Sequence, residues 1–265
     1  MIAAGPRPLA LDRRLQPHRQ PDRQATLRGV EIATSEGPAH ITLDGPAGRP
    51  PAADMPGPDQ SRDAIPAFLL VLTHGAGGGV EAPDLLAARD AALRLGGVVA
   101  RVTQPYRVKG QRAPGSAVRQ DTAWVEVVMA LRNAIPGTGR HDPAGRRDPA
   151  GAQVPGIPLI QGGRSNGARV ACRTARAVEA RAVVALAFPL HPPGRPERSR
   201  AAELRAAGTA VLVVNGDRDP FGIPDRADAT RVVVLAGESH ALSRSPEAVA
   251  DAVGSWLRDV LSAAR

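Results

Sequence analysis

A chain of 265 residues, 43% apolar and 23% charged, is long enough for a substantial core and too apolar to remain disordered. Aromatic residues make up only 2%, which leaves the core to Ala, Val and Leu and argues against a base-stacking platform for single-stranded nucleic acid. The net charge of +8 invites a nucleic-acid reading, but residues 1–30 hold six Arg against Asp12 and Asp22, half of the excess, so the rest is only mildly basic.

In chain order, residues 1–28 read as a disordered basic tail. Their composition is Arg-rich and acid-poor, as in a transit peptide, but Pro6, Pro8, Pro17 and Pro21 interrupt it and no amphipathic period runs through it. Disorder, or an overextended start, fits better. Residues 30–34 and 39–43 alternate apolar with polar and predict an antiparallel edge hairpin, followed by a Pro- and Gly-rich loop over 45–66. Continuous apolar runs at 67–73, 98–102, 158–162, 182–188, 210–215 and 231–235 predict buried strands.

Helical patterns lie between these runs. Trp124, Val127, Val128, Leu131 and Ile135 share one face of a 3.6-residue period. Val249, Ala252, Val253, Trp256 and Val260 do the same in a C-terminal helix, with Ser245 as the expected N-cap and Pro246 in the first turn. Residues 136–156 carry two Asp-Pro-Ala-Gly pieces and no period, and read as a flexible surface insertion. Strands alternating with helices predict an α/β fold, a mostly parallel central sheet with helices on both faces, in one domain over 29–265. About twenty residues separate the strands at 188 and 210, taken up by a Pro-rich loop and one helix over 198–207, too few for a sizeable cap domain.

The most informative segment is Gly163-Arg164-Ser165-Asn166-Gly167, a G-x-S-x-G spacing with a buried strand before it and a helix over 166–177 after it. A nucleophile there needs a sharp, strained turn, and a Cβ at either flanking position would collide with neighbouring backbone. A Gly-rich phosphate loop or an ordinary tight turn is the other reading, though no Walker lysine follows. A serine hydroxyl needs an imidazole base, and the imidazole needs a carboxylate to fix its tautomer. Asp219, after the strand at 210–215, and His240, after the strand at 231–235, supply them in the order Ser, Asp, His. Each falls past the carboxyl end of a strand, the edge where open α/β sheets carry their sites. Asp217 is the rival for the acid. Backbone N–H groups for the oxyanion come from Asn166 and from Ala76 in the loop His74-Gly75-Ala76-Gly77-Gly78-Gly79. Gly75 and Gly77 permit close approach of substrate.

With these motifs the chain resembles an α/β hydrolase of the dienelactone-hydrolase-like group. Residues 104–114, 162–169, 188–198 and 215–222 resemble more closely the bacterial relatives of testis-expressed protein 30 and of the third subunit of the NSL histone acetyltransferase complex. The resemblance implies the α/β-hydrolase fold and the triad Ser165, Asp219 and His240. It implies no settled substrate, and its eukaryotic members act partly as complex subunits. Dienelactone hydrolases proper carry Cys where this chain has Ser165.

The loop after the strand at 98–102 brings Tyr106, Arg107, Lys109 and Arg112 to the carboxyl edge of the sheet, and Arg164 sits in the elbow. They read either as a cluster attracting an anionic substrate or as solvated cations with one salt bridge. His191 either lines the pocket or belongs to a rigid Pro-rich turn. The single Cys172 excludes an intrachain disulfide, and no Cys and His spacing suggests a metal; no cofactor is expected. No apolar stretch is of membrane-spanning length, which reads as a cytoplasmic protein without a membrane partner. The sequence predicts a serine hydrolase acting on an ester-like bond of a small soluble substrate. The alternative is a catalytically weak scaffold for protein interaction. The sequence does not define an oligomeric state.

Overall fold

The computed structural model describes residues 26–45, 66–135 and 156–263. The expected basic tail, Pro-rich loop and surface insertion lie wholly or largely outside them. Eight strands form one sheet, β1 (Thr26–Ile32), β2 (Ala39–Asp44), β3 (Leu69–Thr73), β4 (Val98–Thr103), β5 (Leu159–Arg164), β6 (Ala182–Leu186), β7 (Ala210–Gly216) and β8 (Arg231–Leu235). Their order is β1-β2-β4-β3-β5-β6-β7-β8. The β1–β2 hairpin is antiparallel and joins β4 antiparallel, while β4 through β8 are mutually parallel. The mostly parallel sheet with an antiparallel edge is therefore the one the alternation of patterns predicts. β1 begins at Thr26, ahead of the boundary expected at residue 29.

The central strands are apolar on both sides because helices cover both faces. α1 (Pro83–Arg94) and α6 (Pro246–Ser262) close one face through Leu85, Ala88, Val253 and Leu257. α3 (Ala117–Ala134) and α4 (Asn166–Thr174) close the other through Trp124, Val128 and Val170. Buried polar groups on that face are paired: Trp124 Nε1 donates to Gln161 Oε1 at 2.7 Å, and Gln161 Nε2 donates to the Ala171 carbonyl at 2.7 Å. Cys172 is fully buried in α4, and burial raises its thiol pKa far above the ordinary value.

Three local expectations change. A short helix, α2 (Pro105–Val108), stands where a loop was expected, because Pro105 at its first position presets the helical backbone. Only α5 (Ala201–Arg205) lies between β6 and β7, shorter than the helix expected there, and no cap is inserted. Ser245 precedes α6 but makes no side-chain cap. The Glu238 carboxylate instead fixes the segment entering the helix, Oε1 accepting from the Arg244 and Ser245 N–H groups at 2.8 and 2.6 Å. No helix among the described residues is long and apolar enough to cross a membrane.

Candidate active site

β5 runs straight into α4, and the residue at the junction has no choice of conformation. Ser165 sits at φ 52°, ψ −115°, a region that L-residues rarely enter. The turn is this tight because two backbones meet at it. A Cβ on Gly163 would lie 2.6 Å from the Thr73 carbonyl oxygen, and one on Gly167 would lie 2.7 and 2.8 Å from the carbonyl oxygens of Thr73 and His74. The flanking glycines thus admit the end of β3 against the elbow, the collision anticipated from the sequence. The following loop packs as closely: a Cβ on Gly75 would stand 3.1 Å from Ser165 Cβ.

Ser165 Oγ is 2.9 Å from His240 Nε2, and His240 Nδ1 is 2.8 Å from Asp219 Oδ2. The carboxylate can only accept from Nδ1–H, so Nε2 is left as the acceptor for the serine hydroxyl. Asp219 is buried, and Oδ1 also accepts from the Phe221 N–H at 2.9 Å. Asp217, the rival, is exposed and is not hydrogen-bonded to His240. The Phe221 ring lies over His240 with centroids 4.2 Å apart.

Asn215, which the sequence reading passed over, ties the acid loop to the end of β6. Its Oδ1 accepts from the Phe188 N–H at 2.9 Å, and its Nδ2 faces the Phe188 and Gly222 carbonyls at 3.0 and 3.1 Å and Asp219 Oδ2 at 3.3 Å. An Asn closing a strand beside a Gly-x-x-Asp turn was the available signal.

His74, at the end of β3, is fully buried between Gly75 and β4. Its Nε2 accepts from the Gln104 N–H at 3.0 Å, so Nδ1 carries the proton donated to the Gly75 carbonyl at 2.8 Å. Burial, with the Arg107 charge nearby, pushes its pKa below the ordinary value, keeping the ring neutral. Ala76 occupies the second position of a turn closed by Gly78 N–H to the Gly75 carbonyl at 3.2 Å, and that closure leaves its own N–H free. The Asn166 N–H is likewise unclaimed by the helix, being the first of α4.

The residues that read either as an anion-attracting cluster or as solvated cations with one salt bridge divide. Arg164 is committed: Nε donates to Asp84 Oδ2 at 2.9 Å and an Nη donates to the His240 carbonyl at 2.8 Å. Asp84 is fully buried at the start of α1, and burial raises its pKa against the opposing pull of Arg164. Tyr106 is buried as well, its hydroxyl 3.4 Å from the Ala76 carbonyl, and burial pushes its pKa up to about 12. Arg107 is half-buried and Arg112 exposed. Lys109 lies over the hairpin turn, where a Cβ on Gly37 would meet its Cε at 2.6 Å. His191 braces the acid loop: its N–H donates to the Phe221 carbonyl at 2.9 Å, and its Nε2 would collide with a Cβ on Gly222. Among the described residues no cluster of His, Cys, Asp and Glu could hold a metal.

The profile of the Alpha/beta hydrolase domain family matches residues 66–245. No curated protein matches the sequence. Among solved structures, the chain is similar to an α/β serine hydrolase without a lid from Xanthomonas campestris, at 19% identity and TM-score 0.58 over 91% of this chain and 96% of that one. It is similar to Est1E from Butyrivibrio proteoclasticus, solved with ferulic acid bound, at 16% identity and TM-score 0.63 over 88% of this chain and 100% of that one. A dienelactone hydrolase from Anabaena variabilis matches at 16% identity and TM-score 0.58, over 89% of this chain and 98% of that one. At these identities the likeness is one of fold.

Proposed function

Because the chain belongs to the Alpha/beta hydrolase domain family, we propose that it is a serine hydrolase cleaving an ester-like bond of a small soluble substrate. The observation that carries this reading is the unbroken run of hydrogen bonds from Ser165 Oγ through His240 to Asp219 at 2.9 and 2.8 Å.

In the proposed reaction Ser165 Oγ attacks the carbonyl carbon while His240 Nε2 takes its proton, and Asp219 stabilises the imidazolium. The oxyanion is held by the N–H groups of Asn166 and Ala76, the two donors that elbow and turn leave unclaimed. His240 then protonates the leaving oxygen, and water, deprotonated by the same imidazole, releases the acyl group and regenerates Ser165. Support for a small soluble substrate comes from the absence of an inserted cap between β6 and β7, the place where a lid would exclude water. The bound ferulic acid of Est1E belongs to that protein, but it supports carboxylic esters as the first class to assay. The closer resemblance to relatives of testis-expressed protein 30 is part of this reading and adds no substrate.

Labelling of the purified protein by a fluorophosphonate, compared with Ser165→Ala, tests the proposal. Labelling confined to the parent is the expected result. A folded parent that fails to label would move the reading to a non-catalytic scaffold.

A further inference from the structure

A cavity opens between α2, the segment after it and α3, and none of Ser165, Asp219 and His240 lines it. Tyr106 and Trp124 give it aromatic walls, buried Gln104 and Gln120 supply amides in its depth, and exposed Gln111 supplies one at its rim. Lys109 and Arg119 bring positive charge to it.

The amides are oriented by a chain of hydrogen bonds whose direction is fixed. The Thr73 hydroxyl spends its only proton on the Val102 carbonyl at 2.9 Å, so toward Gln104 it can only accept, from Nε2 at 3.1 Å. Gln104 Oε1 then accepts from Gln120 Nε2 at 3.2 Å. The chain ends with Gln120 presenting Oε1, an acceptor for which no described residue supplies a donor. Gln120 is nine-tenths buried, yet its Oε1 is not among the side-chain atoms sealed without a partner, so the oxygen is open to the cavity the residue lines.

The charges are equally specific. Arg119 and Glu36 neutralise one another, Nε to Oε1 and Nη2 to Oε2 both at 2.7 Å. Lys109 forms no ion pair among the described residues but also acts on Glu36, helping to lower its pKa, so two cations face one carboxylate and the cavity keeps an excess of positive charge. A concave pocket in which apolar walls carry convergent polar groups is the usual form of a small-molecule site, and here polar and apolar residues share the lining. The buried acceptor on Gln120 and the excess positive charge define what such a molecule must carry.

We infer that this cavity is a second binding site, for a short carboxylate bearing a hydroxyl. The hydroxyl donates to Gln120 Oε1, the carboxylate pairs with Lys109, and the aliphatic part lies between Tyr106 and Trp124. The site is distinct from the proposed catalytic one yet contacts its support, because Gln104 also donates its N–H to His74.

Titration calorimetry with β-hydroxybutyrate, butyrate and sec-butanol on the full chain tests the inference, since the last two each lack one of the required groups. β-Hydroxybutyrate should bind one to one, and butyrate and sec-butanol each at least tenfold more weakly. Lys109→Met should weaken β-hydroxybutyrate about tenfold and leave sec-butanol unchanged; Gln120→Met, nearly the same volume, should erase its advantage over butyrate. Ser165→Ala should leave all three affinities as they are. No saturable binding at millimolar concentration would overturn the assignment. So would equal binding of the three compounds, an undiminished affinity in folded Lys109→Met, or loss of binding in Ser165→Ala, which would put the ligand at the elbow instead.

Discussion

Arg164 reaches across from the elbow and donates to the carbonyl of His240 at 2.8 Å, so one guanidinium holds together the segments carrying the proposed nucleophile and the proposed base. Its other anchor, Asp84, fixes it to the start of α1, and a Cβ on Gly75 would come within 3.3 Å of it. Three loops meet at this side chain.

Arg164→Gln should therefore lower kcat by roughly 10–100-fold, the weight of a lost charge-assisted hydrogen bond, with little change in KM. Asp84 would be left buried without its partner, so the variant is compared with Asp84→Asn/Arg164→Gln, which removes the orphaned charge. Steady-state kinetics on a neutral and an anionic short-chain ester check it. A rise in KM confined to the anionic ester would instead make Arg164 a substrate-binding cation.

Ser165→Gly should be more stable than Ser165→Ala by about 1 kcal/mol. Alanine keeps the Cβ that makes φ 52° costly, whereas glycine removes it, partly offset by a more flexible unfolded chain. Both variants lack the hydroxyl, so thermal melts of the two isolate the strain. Equal melting temperatures would mean that the elbow is not strained at this residue.

His74 makes stability depend on pH in a defined window. Its pKa is lowered in the folded chain from the ordinary 6.5, so the unfolded chain binds a proton that the folded chain refuses. The contribution is complete above about pH 6.5 and is lost as pH falls through the folded value. His74→Asn should be less stable than the parent at pH 8, with the gap narrowing as pH falls below 6.5. Urea midpoints across that range measure it, and parallel curves would exclude the neutral ring as the source.

Asn215→Leu would deprive the Phe188 N–H, the Phe188 carbonyl and the Gly222 carbonyl of a partner at once. The expected cost is about 3 kcal/mol or more, together with slower fluorophosphonate labelling as the Asp219 loop loosens. A loss of stability with an unchanged labelling rate would separate Asn215 from the positioning of Asp219.

The parts of the site legible in the sequence were those that depend on local order. Ser165, Asp219 and His240 follow strands that are continuous apolar runs, and the glycines flanking Ser165 answer a steric demand that any strand-to-helix turn of this kind makes. What sequence did not reveal were partners distant along the chain. Asp84 looks like an ordinary first-turn acid until β5 is placed beside α1, and Asn215 like the polar end of a strand until Phe188 arrives next to it. For the same reason the sequence left Arg164 and Tyr106 between two readings, and only packing shows that Arg164 is held by Asp84 and that Tyr106 is buried with its hydroxyl at the Ala76 carbonyl. Charge and position are written locally; engagement of that charge is settled by packing.

Cys172 has a practical consequence. The only thiol of the chain is enclosed in α4 and held protonated by its surroundings, so a maleimide or iodoacetamide finds no native target while the fold is intact. A cysteine introduced at Val118, which is 75% exposed on α3, would be the sole reactive thiol. It would report from the helix that also carries Gln120 and Trp124, giving a fluorophore or spin label one defined attachment point beside the second cavity.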